Sequence, residues 1–227
     1  AGDALQGSPL AAYFGRGTAR DPHPVIDAMN TVGYDVATPG DHDFDFGLPA
    51  FQRAIAGSTF HWVSGNLRAL PADTLALAAY VVVVRNGVRV AVTGFTTPAD
   101  MVLNRSRLGD QLRVDRIEPG IEPVLREARK DGDLVIALAH SGLGGRASYD
   151  TTGLGGEDVS AQFAAGPSRP DLVVLGHSHE EIVDSVIQGV HFVQPRPQGR
   201  TLAVVHLTLV GERGGLRLVG VRAERVA

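Results

Sequence analysis

The sequence predicts an α/β fold, a layered sandwich with a mixed central sheet flanked by helices, and three observations predict it. Short β-rich runs alternate with amphipathic helical stretches along nearly the whole chain. Two runs, Leu134 to Ala139 and Leu172 to Leu175, are continuously apolar, as strands buried on both faces require. A further pair, Ala78 to Arg85 and Val88 to Phe95, flanks Asn86-Gly87, residues that accept the positive φ of a tight hairpin turn.

Taken in order, Ser8-Pro9 reads as a helix start, and that helix runs toward Gly15. Ser8 supplies a capping oxygen, and the proline's missing N–H costs nothing in a first turn. A second helix spans Pro24 to Thr31 and stops at Gly33. Asp35 to Thr38 is a short strand that empties into Gly40-Asp-His-Asp-Phe-Asp-Phe-Gly47. A third helix follows over Leu48 to Ala56, and Phe60 to Ser64 is another strand. Residues 104–116 are polar and arginine-rich and read as a surface connection. Glu118 to Lys130 sets Ile121, Val124, Leu125 and Ala128 at helical spacing. Residues 141–158 are glycine-rich and read as a mobile loop. Val190 to Val193, Thr201 to Val210 and Leu216 to Arg222 read as hairpin strands, with Gly214-Gly215 as one turn.

Composition narrows the function classes. With 227 residues, 44% hydrophobic and 20% charged, the chain buries a sizeable core and is neither fibrous nor disordered. No internal repeat or linker divides it, so residues 1–227 read as a single domain. The longest apolar stretch, Leu75 to Val84, is about half of a membrane span. A net charge of −4 offers no basic footprint for a nucleic-acid polymer. The absence of cysteine removes disulfides, thiolate metal sites and cysteine nucleophiles together. The opening Ala1-Gly2-Asp3 carries no initiator methionine or signal-like segment and reads as a cut start.

Three apolar strands end alike. Val-Ala-Thr-Pro-Gly leads to Asp41-His42, Val-Ile-Ala-Leu-Ala to His140, and Leu-Val-Val-Leu-Gly to His177-Ser178-His179. In open α/β sheets the carboxyl ends of strands share one edge, so these groups are expected to converge, joined by Asp3 from its glycine-flanked turn. Oxygen and nitrogen donors without sulfur suit Zn²⁺, Mn²⁺ or Fe.

The order Gly-Asp, Gly-Asp-His-Asp, Ala-His, Gly-His-x-His resembles the calcineurin-like metallophosphoesterases. Gly2-Asp3-Ala-Leu-Gln-Gly-Ser-Pro-Leu10, His23-Pro-Val-Ile-Asp-Ala-Met-Asn30, Gly40 to Gly47, Ala139-His-Ser-Gly-Leu143, Gly176-His-Ser-His179 and Phe192-Val-Gln-Pro195 resemble the 5′-nucleotidase and 2′,3′-cyclic-nucleotide phosphodiesterase branch. The resemblance implies a metallophosphoesterase-type sandwich that hydrolyses phosphate esters, nucleotides above all, with two divalent metal ions. It implies Asp3 as the bridging carboxylate, Asp41, His140 and His177 on one metal, and His179 on the other. His42 would lie over the phosphate and stabilise developing charge or protonate the leaving oxygen, with Asp45 orienting it; water or hydroxide on the metals would attack. It also implies export or surface attachment.

Three departures accompany the resemblance. The family carries an Asp-x-His on a strand ahead of Asp3, and the sequence begins after that point. Asp41 stands where asparagine is usual, and the added carboxylate makes a metal less electrophilic. The family's C-terminal domain, whose aromatic residues sandwich the nucleobase, is not read within residues 1–227. A degenerate, non-catalytic domain that binds a metal, a phosphate ligand or a protein partner is the alternative reading. Other residues read as structural: His23, His61, His191 and His206; the Gly153–Gly156 loop; Asp43; Asn66 as a turn cap; Trp62 and Phe95 as core. Arg196 and Arg200 read as solvated.

Overall fold

The computed structural model describes residues 1–17, 23–145, 152–212 and 215–226. Helix α1 (Pro9–Arg16) starts where Ser8 Oγ accepts from the Ala11 amide at 3.1 Å. Helix α2 (Pro24–Val32) is capped by His23. Strand β1 (Val36–Ala37), helix α3 (Leu48–Ile55) and strand β2 (His61–Trp62) form a crossover unit, with β1 and β2 parallel. Strands β3 (Leu67–Ala69) and β4 (Thr74–Leu75) precede the predicted hairpin of β5 (Tyr80–Arg85) and β6 (Val88–Thr96).

The segment read as a surface connection is a correction. It contains helix α5 (Arg105–Leu108), which follows α4 (Asp100–Leu103), and strand β7 (Leu112–Val114), which pairs with β3. Asn104, Leu108, Leu112 and Val114 are buried. Arginines interleaved with leucines hid a narrow apolar face.

Helix α6 (Glu118–Asp131) leads into β8 (Leu134–His140), followed by β9 (Leu172–Leu175), β10 (Ile182–Ile187), β11 (Val190–Gln194), β12 (Leu202–Glu212) and β13 (Gly215–Val226). The central sheet runs β10-β11-β9-β8-β6-β5. Its β11, β9, β8 and β6 are mutually parallel and each edge strand is antiparallel, so the predicted mixed sheet is observed. β12 and β13 form a separate ribbon. The turn read at Gly214-Gly215 lies partly outside the described residues.

Two cores hold the layers. Phe95, Ile121, Leu125, Val173 and Phe163 pack between the central sheet and α6, with the Phe95 and Phe163 rings 5.3 Å apart. Phe44, Phe51, Trp62, Leu67 and Leu108 form the second core under α3 and the small sheets. Asn66 ties the layers rather than capping a turn: its Nδ2 donates to the Thr96 and Asp115 carbonyls at 2.7 and 2.8 Å.

Candidate metal centre

The carboxyl ends of β1, β8 and β9 deliver the candidate side chains. Asp41 and His42 follow β1 after Thr38-Pro39-Gly40, His140 closes β8, and His177 and His179 lie just past β9. Parallel pairing of β8 with β9 brings those ends to one edge. Asp3 arrives from the N-terminal loop. Asp3, His177 and His179 have φ of 59°, 70° and 57°, three of the seven left-handed non-glycine residues among those described. Backbone strain thus concentrates here.

One carboxylate oxygen or ring nitrogen from each of Asp41, His140 and His177 lies within 4.8 Å of the others, and all three residues are buried. His140 Nε2 is 2.9 Å from Asp41 Oδ1 and 3.2 Å from Asp3 Oδ2. His177 Nδ1 is 3.4 Å from the same Asp41 oxygen. Asp3 therefore borders the group, while His179 is not among its three members.

The surroundings lock this geometry. Asp43 accepts from the amides of Asp3, Leu5 and Gly40 at 3.0, 2.8 and 2.8 Å, which ties the N-terminal loop to the 40–44 turn. Burial, aided by repulsion from Asp3, raises the Asp43 pKa to about 6. Glycine is needed at two close approaches: a Cβ on Gly40 would overlap Asp3 Oδ1, and one on Gly2 would overlap His140 Nδ1.

The donor set fits a divalent cation. His140 Nδ1 lies 2.6 Å from the Ala1 carbonyl, which only accepts, so Nδ1 carries a hydrogen. Nε2 then faces two carboxylates. Burial opposes a charged ring, yet Asp3 and Asp41 hold the His140 pKa well above its usual value. Burial likewise opposes ionisation of Asp41, but bonds from His140 and His177 keep its carboxyl well below the ordinary range. A cation would satisfy these same groups without a proton on the ring, and carboxylate oxygen with imidazole nitrogen suits Zn²⁺, Mn²⁺ or Fe.

His42 stands beside the group. Its amide donates to Asp3 Oδ1 at 2.9 Å, its Nδ1 is 3.0 Å from Asp45 Oδ2, and its Nε2 is 3.8 Å from Asp41 Oδ2. The side chain is 45% exposed, open to a ligand. Burial lowers its pKa, but the Asp45 bond and the nearby carboxylates raise it by more.

Three residues with no sequence signal join the site. Glu157, fully buried, places Oε2 3.1 Å from His177 Nε2. Asn104 Nδ2 donates to the Asp41 carbonyl at 2.8 Å and to Asp100 Oδ1 at 3.0 Å, and reaches Asp45 Oδ1 at 3.3 Å. Burial pushes the Asp100 carboxyl pKa well up, against the opposing effect of the Asn104 hydrogen bond. A glycine-rich stretch and an arginine-rich one gave no pattern to read. The stretch read as a mobile loop is anchored at its described ends, where the Gly142 amide donates to Asp158 Oδ1 at 2.6 Å; residues 146–151 lie outside the described residues.

The residues read as structural have structural partners. His23 caps α2, His61 is exposed, His191 meets Asp184 and His206 meets Glu224. Arg196 pairs with Glu181 and Arg200 with Gln198, both exposed.

The family described as Metallophos, calcineurin-like phosphoesterase, matches residues 1–181. A 2′,3′-cyclic-nucleotide 2′-phosphodiesterase/3′-nucleotidase of Yersinia enterocolitica is 28% identical over 98% of this chain and 37% of its own length. The trifunctional nucleotide phosphoesterase YfkN of Bacillus subtilis is 28% identical over 92% of this chain and 16% of its length. The chain thus spans well under half of these curated relatives. The crystal structure of calcineurin-like phosphoesterase YfkN from Bacillus subtilis superposes with a TM-score of 0.86, covering 99% of this chain and 74% of that one, at 25% identity. That of a 5′-nucleotidase precursor from Thermus thermophilus gives 0.75, with 99% and 44% covered at 23% identity.

Proposed function

Because the chain belongs to the calcineurin-like phosphoesterase family, we propose that it hydrolyses phosphate esters, with nucleotides of the 5′- or 2′,3′-cyclic type as substrates. The observation that carries this reading is the meeting of Asp41, His140 and His177 within 4.8 Å beside a half-exposed His42. Residues 1–227 form one domain in this reading.

Asp41, His140 and His177 would hold one divalent ion, and Asp3 and His179 would contribute to holding a second. The chemistry such ions would supply is acidification of a water and positive charge for the phosphoryl oxygens. His42 contributes the proton. Its Nδ1–H stays on Asp45, which fixes the ring and favours the charged form, while the Nε2 proton passes to the leaving oxygen. Asn104 keeps the Asp41 backbone and the Asp45 carboxylate in register. An extracytoplasmic setting belongs to the same proposal and rests on family resemblance. Among the described residues no helix is long and apolar enough to cross a membrane.

The purified protein loaded with Mn²⁺ or Zn²⁺ is expected to cleave p-nitrophenyl phosphate. A panel of 5′-AMP, 3′-AMP and 2′,3′-cyclic AMP then ranks the substrates. His42→Ala should lower kcat by roughly 10²- to 10⁴-fold with metal content unchanged. Asp41 motivates the second reading, a domain that binds metal or phosphate without turnover. Full metal occupancy with no hydrolysis of any ester would establish that reading instead.

A further inference from the structure

Most of the described arginines face a carboxylate, as Arg89 faces Asp133 and Arg129 faces Asp171. Arg16, Arg53 and Arg107 do not: among the described residues none has a carboxylate oxygen within 4.0 Å. Yet these three line a single cleft of about 590 Å³, together with Phe46 and Asp45. Each is held in place by uncharged contacts. Arg16 lies 6.0 Å from the Phe46 ring centroid, Arg53 Nη2 donates to the Gly17 carbonyl at 3.3 Å, and Arg107 Nη1 donates to Asn104 Oδ1 at 3.0 Å.

Three guanidiniums on one concave wall repel one another unless an anion joins them. Among the described residues the lining's one acid, Asp45, already meets His42 and Asn104. Phosphate matches the planar fork of arginine through paired charge-assisted bonds, which a lone surface lysine does not offer. The cleft also adjoins the reaction centre. Asp45 forms part of its wall, His42 lies 3.0 Å from Asp45, and the far nitrogen of His42 lies 3.8 Å from Asp41.

We propose that the cleft of Arg16, Arg53 and Arg107 binds a second phosphate group of the substrate, so that esters carrying two phosphates lie across the site with one phosphate at the metal centre and one in the cleft. The first placement rests on the phosphoesterase reading, whereas the affinity of the cleft for phosphate does not.

Calorimetry on the Mn²⁺-loaded protein, with adenosine 3′,5′-bisphosphate, 5′-AMP and inorganic phosphate as probes, tests this. The bisphosphate should bind more tightly than either other probe. R16Q/R53Q should weaken it by roughly 10- to 100-fold and 5′-AMP by less than about twofold. R16K/R53K should recover part of the loss, and R200Q should change neither ligand. Equal melting temperatures across the variants separate binding from folding. In turnover, R16Q/R53Q should raise KM for the bisphosphate and leave kcat and the KM for p-nitrophenyl phosphate unchanged. Bisphosphate binding no tighter than 5′-AMP, or an equal loss for both in R16Q/R53Q, would overturn the proposal. Inorganic phosphate bound in the cleft as tightly as the bisphosphate would overturn it too, in favour of an effector site. Intact discrimination by calorimetry without any ester hydrolysis would sink the catalytic reading and leave the phosphate site standing.

Discussion

His140 Nε2 and Asp41 Oδ1 meet at 2.9 Å inside the protein, with side chains 2% and 3% exposed. The same ring nitrogen lies 3.2 Å from Asp3, so one imidazole serves two carboxylates that would otherwise repel.

That arrangement makes metal content a stability term. Chelation with EDTA should lower the melting temperature, and Mn²⁺ or Zn²⁺ should restore it. At a hundredfold excess over Kd, one site adds about 2.7 kcal/mol. His140→Ala should abolish the response, read by thermal melts with and without chelator.

Asp41→Asn keeps an oxygen for the ion and removes one negative charge from the site. Turnover at matched metal occupancy should hold or rise, because the ion becomes more electrophilic and an incoming phosphate meets less repulsion. A large fall in kcat would show that the ionised carboxylate is required.

Glu157 acts through His177. With Nε2–H held by Glu157 at 3.1 Å, the ring presents Nδ1 toward Asp41. Glu157→Gln should weaken metal affinity by roughly tenfold and Glu157→Ala by up to about a hundredfold, measured by competition with a metal-binding dye.

His23 couples helix capping to pH. Its Nδ1 accepts from the Val25 amide at 3.4 Å, which requires the neutral ring. Burial lowers its pKa by more than the nearby Ala11 backbone raises it. The folded value therefore lies below the unfolded one, near 6.5. The stability from this group is complete above about pH 6.5 and is lost as pH falls through the folded value. His23→Asn, which keeps a capping oxygen, should flatten that segment of a stability-versus-pH curve from chemical denaturation.

Local chemistry made much of the fold legible. Ser8-Pro9, the glycine after α2, the Asn86-Gly87 turn and the apolar runs of β8 and β9 each act within a few residues, so their elements could be read directly. Motif order likewise marked Asp3, Asp41, His42, His140, His177 and His179 as candidates. The segment 104–116 was misread because half-buried helices and strands this short carry too few residues for a period to emerge.

The sequence alone thus determined the layered architecture and the family, since both rest on patterns that neighbouring residues complete among themselves. Only the tertiary structure decided that Asp41 would share an oxygen between His140 and His177, that Glu157 would back His177, and that Arg16, Arg53 and Arg107 would face one cleft. Those relationships join residues 20 to 136 positions apart. At such separations the distance between two side chains is set by strand order and packing, which no local pattern encodes.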